Sequence, residues 1–256
     1  MDIIRSRQNA LVKKLVKLAN HRRTRLELGE TLLIGTHLVA AARDAQWPLQ
    51  QLLLREGSET KPEIADLLAS VHAPVTLLAS ELFDAIEQLP SSSGLLALAD
   101  IATTPSPSMR GFCLLLDRVQ DPGNVGSILR SAAAAGADQV WLSTGCADAW
   151  SPKVIRAAMG AHFFLPLIER IDSEAALAAF DGALAITTLD RATSLYQTDL
   201  TGNVVLALGA EGSGVSSDLA ERASLRLHIP MQPGIESLNV AAAAAICLFE
   251  RRRQLG

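Results

Sequence analysis

The stretch FCLLLDRVQDPGNVGSILRSAAAAGADQVWLS, residues 112–143, decides how the chain folds. It opens with an apolar run, residues 112–119, without the alternation of a half-exposed strand, as suits a strand buried on both faces. Pro122 and Gly123 set a turn, and Asn124 has the side chain of a helix N-cap. Residues 124–135 then read as helix, with Gly136 placed as its C-cap. A second apolar run follows at residues 139–143. Strand, helix and strand in such quick succession predict a parallel crossover unit, and so an α/β fold with a mostly parallel sheet covered on both faces.

Towards the C-terminus the alternation continues. Apolar runs at residues 184–189, 204–209 and 225–229 are separated by helix-like stretches. A last helix spans about residues 238–253 and ends in Arg251, Arg252 and Arg253, cations suited to a helix C-terminus. Towards the N-terminus the texture changes. The segment ATTPSPSMRG, residues 102–111, has no apolar period and reads as a linker. Before it lies a smaller α/β unit. Leu11, Val12, Leu15, Val16 and Leu18 have helical spacing within residues 6–26, strands are expected at 31–34, 49–54, 74–78 and 95–101, and helices at 37–45 and 63–71. The expected division is residues 1–101, a linker at 102–111, and residues 112–256.

Of the 256 residues 49% are hydrophobic and 20% charged, which suits a packed globular protein. The apolar stretch at residues 240–249 is too short to span a bilayer, and the opening MDIIRSRQNA has no apolar core of a secretory signal, so a cytoplasmic protein away from membranes is expected. Cys113, Cys146 and Cys247 show no metal-ligand spacing; they read as reduced thiols, and no metal site is expected. A net charge of −4 argues against a uniformly basic nucleic-acid binder. Between Ile3 and Leu26, however, stand Arg5, Arg7, Lys13, Lys14, Lys17, Arg22, Arg23 and Arg25 with no acid among them. That segment reads equally as a phosphate-contacting face or as a solvated helix. An aromatic content of 4% disfavours base stacking.

Three loops after strands carry the chemistry, where ligands of parallel sheets bind. The first holds Asn124 and, six residues on, Arg130, a lone cation among Ala, Ser, Gly, Ile and Leu. Small neighbours predict close packing, where a cation needs an anionic partner. The second reads Gly209, Ala210, Glu211, Gly212, Ser213, Gly214. This is not the glycine order of a dinucleotide fold, and it leaves the Glu211 carboxylate uncovered. In the third, residues 229–239, Ser237 can cap the last helix with Asn239 inside its first turn.

Together and in order, PGNVGSILRSAAAAGA, LGAEGSGVS and IPMQPGIESLNVAAAAAICLFE resemble the three motifs of the SpoU (TrmH-type) RNA ribose 2′-O-methyltransferases. The stretch from SRQNALVKKLVKL to SSSGLLALAD is similar to the L30e-like substrate-binding domain of the two-domain members. The resemblance implies a catalytic domain with a trefoil-knotted sheet, a homodimer, S-adenosylmethionine as cofactor and structured RNA as substrate, ribosomal sooner than transfer RNA. It implies catalytic positions at Asn124, Arg130, Glu211, Ser237 and Asn239, and cofactor positions at Thr188, Leu189, Gly209, Ile229, Met231 and Leu238. The RNA-binding positions expected in the small domain are Arg5, Arg7, Lys13, Lys14, Arg22 and Arg23. Two departures stand out: Leu33, Ile34, Gly35, Thr36 replaces a string with an acid before the glycine, and Pro233 moves the third-motif glycine to Gly234. The competing readings are a transfer RNA methyltransferase, a non-catalytic RNA-binding protein on the same fold, and a nicotinamide-dependent enzyme. Intact polar residues in all three motifs count against the second, and the glycine order against the third.

Overall fold

The structure, a computed structural model, describes residues 2–256. In chain order its elements are β1 (Ile3–Ile4), α1 (Ala10–Asn20), α2 (Arg22–Leu28), β2 (Glu30–Ile34), α3 (Thr36–Asp44), β3 (Leu49–Arg55), α4 (Pro62–Ser70), β4 (Val75–Leu78), α5 (Ser80–Glu87) and β5 (Leu95–Asp100). They continue with β6 (Phe112–Asp117), α6 (Pro122–Ala135), β7 (Gln139–Leu142), α7 (Pro152–Ala158), β8 (Leu167–Glu169), α8 (Ser173–Ala179), β9 (Ala183–Thr187), β10 (Thr193–Ser194), β11 (Val204–Gly209), α9 (Ser217–Arg222), β12 (Leu225–His228) and α10 (Val240–Gln254). Two compact units result: Met1–Thr103 with Trp150–Phe163, and Thr104–Ala149 with Phe164–Gly256.

The first unit has a mixed sheet in the order β1-β4-β3-β5-β2, with β5 antiparallel to both its neighbours. Its core joins Val12, Leu15 and Leu18 of α1 to Leu82, Phe83 and Ile86 of α5 and the sheet beneath. The helix expected over residues 6–26 is two helices. His21 is extended (φ −121°), and beyond it Arg25 turns inward so that its guanidinium donates to the Leu18 carbonyl, one of those that α1 leaves open at its end. The segment Trp150–Phe163 joins this unit through the Trp150 carbonyl, which accepts from Thr31 Oγ1 at 2.7 Å, and through Trp47, packed on Trp150 and Phe163.

The second unit is built on a sheet of order β10-β12-β9-β11-β6-β7-β8, parallel throughout. Its strands read as unbroken apolar runs because both faces are covered: every residue of β6 and β7 is buried. Helix α6 packs through Val125, Ile128, Leu129, Ala132 and Ala135, one face of a 3.6-residue period, and Gly136 ends it in the left-handed conformation (φ 79°). Among the described residues no helix is long and apolar enough to cross a membrane. Cys113, Cys146 and Cys247 are free thiols; burial pushes Cys113 and Cys247 up to about 12.

Candidate active site

In the second unit the sheet order places β12, β9, β11 and β6 side by side and parallel, so their C-terminal ends share one edge. The loops after all four carry the polar residues of interest. Strand β6 leads into α6. Its N-cap is Asp121, not Asn124: Asp121 Oδ1 accepts from the Asn124 amide at 2.7 Å. An acid three residues earlier does the capping better, being already outside the helix with an acceptor aimed at its first turn. The Asn124 side chain is thereby left for another task.

That task is visible across the edge. Asn124 Nδ2 donates to Glu211 Oε1, and Asn124 Oδ1 accepts from Asn239 Nδ2 at 3.0 Å. Asn239 Oδ1 in turn accepts from the Ala241 and Ala242 amides at 2.9 and 3.3 Å, so Asn239 is the N-cap of α10. The expected cap, Ser237, lies two residues before that cap and is exposed, with no hydrogen bond among the described residues. The direction of the run is determined from both ends. Glu211, when ionised, can only accept, and the amides of α10 can only donate, so both asparagines have one possible orientation. One hydrogen-bonded run joins all three loops, and Glu211, exposed as expected, is one end of it.

Arg130 departs from its expected setting. It is exposed, and among the described residues it has neither a carboxylate nor a hydrogen-bond partner. The small residues near it are partly outward-facing: Ser127 and Ala134 share its exposed side of α6, while the buried stripe lies opposite. Composition showed how small the neighbours are but not which way they face.

The positions expected to hold the cofactor fall on the same edge. Thr188 and Leu189 follow β9, Gly209 ends β11, and Ile229 and Met231 follow β12. Leu189, Ile235 and Leu238 are 64%, 57% and 37% exposed, large apolar side chains that the fold leaves uncovered there. Gly209 is required where it stands, since a Cβ would lie 1.9 Å from the Gly214 backbone as the loop doubles back. Apolar surface beside backbone donors and acceptors at strand ends matches the donor set an adenosyl ligand needs. Ile235 was missed in the sequence; its signal was an apolar residue isolated in a Pro- and Gly-rich loop.

In the first unit much of the basic segment is neutralised. Arg5 makes a two-pronged bond to Glu56 at 2.7 and 3.1 Å, Lys14 meets Glu30 at 2.6 Å and Arg23 meets Glu27 at 2.6 Å. Arg22 is half-buried and also has a partner. Arg7, Lys13 and Lys17 stay exposed, with no acid paired to them among the described residues.

Comparison with known proteins agrees with this geometry. Residues 111–249 match the SpoU rRNA Methylase family, and residues 9–97 match the MRM3-like substrate binding domain. The chain belongs to the SpoU rRNA methylase family. It is similar to the 23S rRNA (guanosine(2553)-2′-O)-methyltransferase RlmP of Bacillus subtilis, 32% identical with 98% of this chain and 100% of that protein covered. An uncharacterized tRNA/rRNA methyltransferase of Synechocystis is 34% identical, covering 98% of this chain and 93% of its own. Among solved structures, the AviRb SpoU methyltransferase of Streptomyces viridochromogenes in complex with AdoMet superposes with a TM-score of 0.86 at 29% identity, covering 97% and 98% of the two chains. An AdoMet-bound rRNA methyltransferase from Sinorhizobium meliloti gives 0.83 at 28% identity, covering 100% and 98%. The protein is a methyltransferase of that family.

Proposed function

We propose that this SpoU methyltransferase methylates a ribose 2′-oxygen in 23S ribosomal RNA, using the strand-end site of its second unit. The observation carrying the reading is the Glu211–Asn124–Asn239 run, which ties three loops together on the helix that bears Arg130. S-adenosylmethionine, when bound, supplies a methyl group already activated by the sulfonium charge. The chain's own work is to hold the ribose oxygen in line, ease the loss of its proton and keep water out. A guanidinium keeps its proton in a protein, so Arg130 does not act as a base. It binds the phosphate beside the target ribose and stabilises the negative charge that develops on the 2′-oxygen. Asn124 and Asn239 hold the loops around the ribose, Glu211 anchors them, and the Ser237 hydroxyl, without a partner among the described residues, hands the proton towards solvent. Thr188, Leu189, Gly209, Ile229, Met231 and Leu238 hold the cofactor.

Residues 1–101 present the RNA, residues 112–256 carry out the transfer, and residues 102–111 link them. Arg7 and Lys13 lead the RNA contacts, because Arg5, Lys14 and Arg23 already have acids. The family resemblance and the exposed small face of α6 around Arg130 support a homodimer, and the resemblance supports a trefoil knot in the second unit. Three unpaired thiols fit a reducing cytoplasm, where the ribosomal substrate is made.

Labelled methyl transfer to 23S ribosomal RNA and to transfer RNA tests the reading. Label in the ribosomal fraction, within an alkali-resistant dinucleotide, is the expected result. Label in transfer RNA alone overturns the target, and failure to bind S-adenosylmethionine overturns the site.

A further inference from the structure

Asp117 ends β6 and is buried at 5% exposure, although carboxylates are seldom buried without several partners. Its oxygens are divided between two elements. Oδ1 accepts from Ser143 Oγ at 3.1 Å, just beyond β7, and Oδ2 accepts from the Ser216 amide at 2.8 Å, the N-cap of α9. Ser143 Oγ also accepts from the Arg118 amide at 3.0 Å. Arg118 itself takes a left-handed conformation (φ 57°), which a side chain adopts only where its surroundings dictate it. The Arg118 guanidinium stands 3.4 Å from Asp117.

The Glu211 loop is bounded by these contacts. Gly209 is the ladder partner of Asp117 between β11 and β6, and Ser216, at the far end of the loop, is bound by the Asp117 side chain. One residue therefore holds both ends of residues 210–215, and the loop closes on itself through Gly214 N to Ala210 O at 2.9 Å. Glu211 sits on that loop and reaches Asn124 from it. We infer that Asp117 is a positioning residue for methyl transfer: it clamps the Glu211 loop at both ends and so sets where Glu211 meets Asn124. This rests on the functional reading above, but the clamp itself can be read without activity.

Two variants test it. Asp117→Asn keeps the shape but removes the charge and puts a donor where one of the two acceptor oxygens stood, so it cannot accept from both Ser143 and Ser216. Ser216→Pro removes the donated N–H, at a residue whose φ of −61° a proline adopts and whose side chain makes no cap bond. Both should let amides 210–215 exchange with solvent about 10- to 100-fold faster, the range expected for losing a hydrogen bond to a charged group. Transfer should slow about 10- to 100-fold. The slowing should vanish when Glu211→Gln is already present, because both changes act on one device. Unchanged loop exchange in either variant overturns the clamp, and so does a slowing that multiplies with that of Glu211→Gln. If Asp117→Asn fails to fold, Ser216→Pro decides alone. If the wild type transfers no methyl, the functional reading fails and the exchange comparison still decides the clamp.

Discussion

The two units handle their charges in opposite ways. In the first, Arg5, Lys14 and Arg23 stand in a segment without acids, yet each is met by a glutamate from beyond it, Glu56, Glu30 and Glu27. Arg25 is turned onto a backbone carbonyl. In the second unit the acid of the hydrogen-bonded run, Glu211, is bonded to an amide, while Arg130 is exposed with no acid among the described residues. A cation paired inside its own fold adds little outside it, whereas an unpaired one beside a built network can meet an anion that arrives with the substrate. Cation count in a segment thus overstates the charge left free for a partner; pairing is the better guide.

The largest effect that would sharpen this contrast is at Arg130. Arg130→Ala should slow methyl transfer by about 1,000-fold, as for loss of a group that stabilises developing charge. Cofactor affinity, measured by calorimetry, should stay within about twofold, because the change removes no apolar contact to the adenosyl group. Turnover above about a tenth of wild type would remove the distinction between the units.

Next comes Asn239, which has two jobs that can be separated. Asn239→Ala loses the helix cap and should lower stability by about 1 kcal/mol in thermal or denaturant unfolding. Asn239→Asp caps equally well but has no donor for Asn124 Oδ1. Both should slow single-turnover transfer about 10- to 100-fold, and only the alanine variant should melt earlier. An active aspartate variant would show that the amide run is dispensable.

The smallest effect is on RNA binding by the first unit. Replacing Arg7, Lys13 and Lys17 together with alanine should reduce the slope of log affinity against log salt by about 2, since each phosphate contact contributes about 0.7 to 0.9. Replacing Arg5, Lys14 and Arg23 should change it by less than about 1, because their counter-charges are internal. Equal changes would break the comparison.

Much of the fold was legible in the sequence, for a physical reason. Buried parallel strands are long apolar runs, and residues 112–119, 139–143, 204–209 and 225–229 each contain a strand of the central sheet. The short elements were not legible: in α5 only Leu82, Phe83 and Ile86 carry the pattern, and β8 is three residues long. The C-cap of α6 was placed correctly at Gly136, but the N-caps of α6 and α10 were placed near their true positions on the wrong residues. Asp121 and Asn239 cap α6 and α10, because neighbouring Asp, Asn and Ser compete for the role and backbone geometry selects among them. Asp117 carried one faint signal, an acid closing an apolar run.

By itself the sequence determined the alternation of strand and helix, the three-part motif that identifies the family, and the polar residues Asn124, Arg130, Glu211 and Asn239. These depend on local spacing and on side-chain chemistry, which a string of residues contains. Only the tertiary structure decided that Glu211 meets Asn124 and Asn124 meets Asn239, that Arg130 faces outward, and that Glu56 and Glu30 neutralise cations far from them in the chain. Such pairings join residues up to |i−j| = 115 apart, and they follow from strand order and helix rotation, which no local pattern specifies.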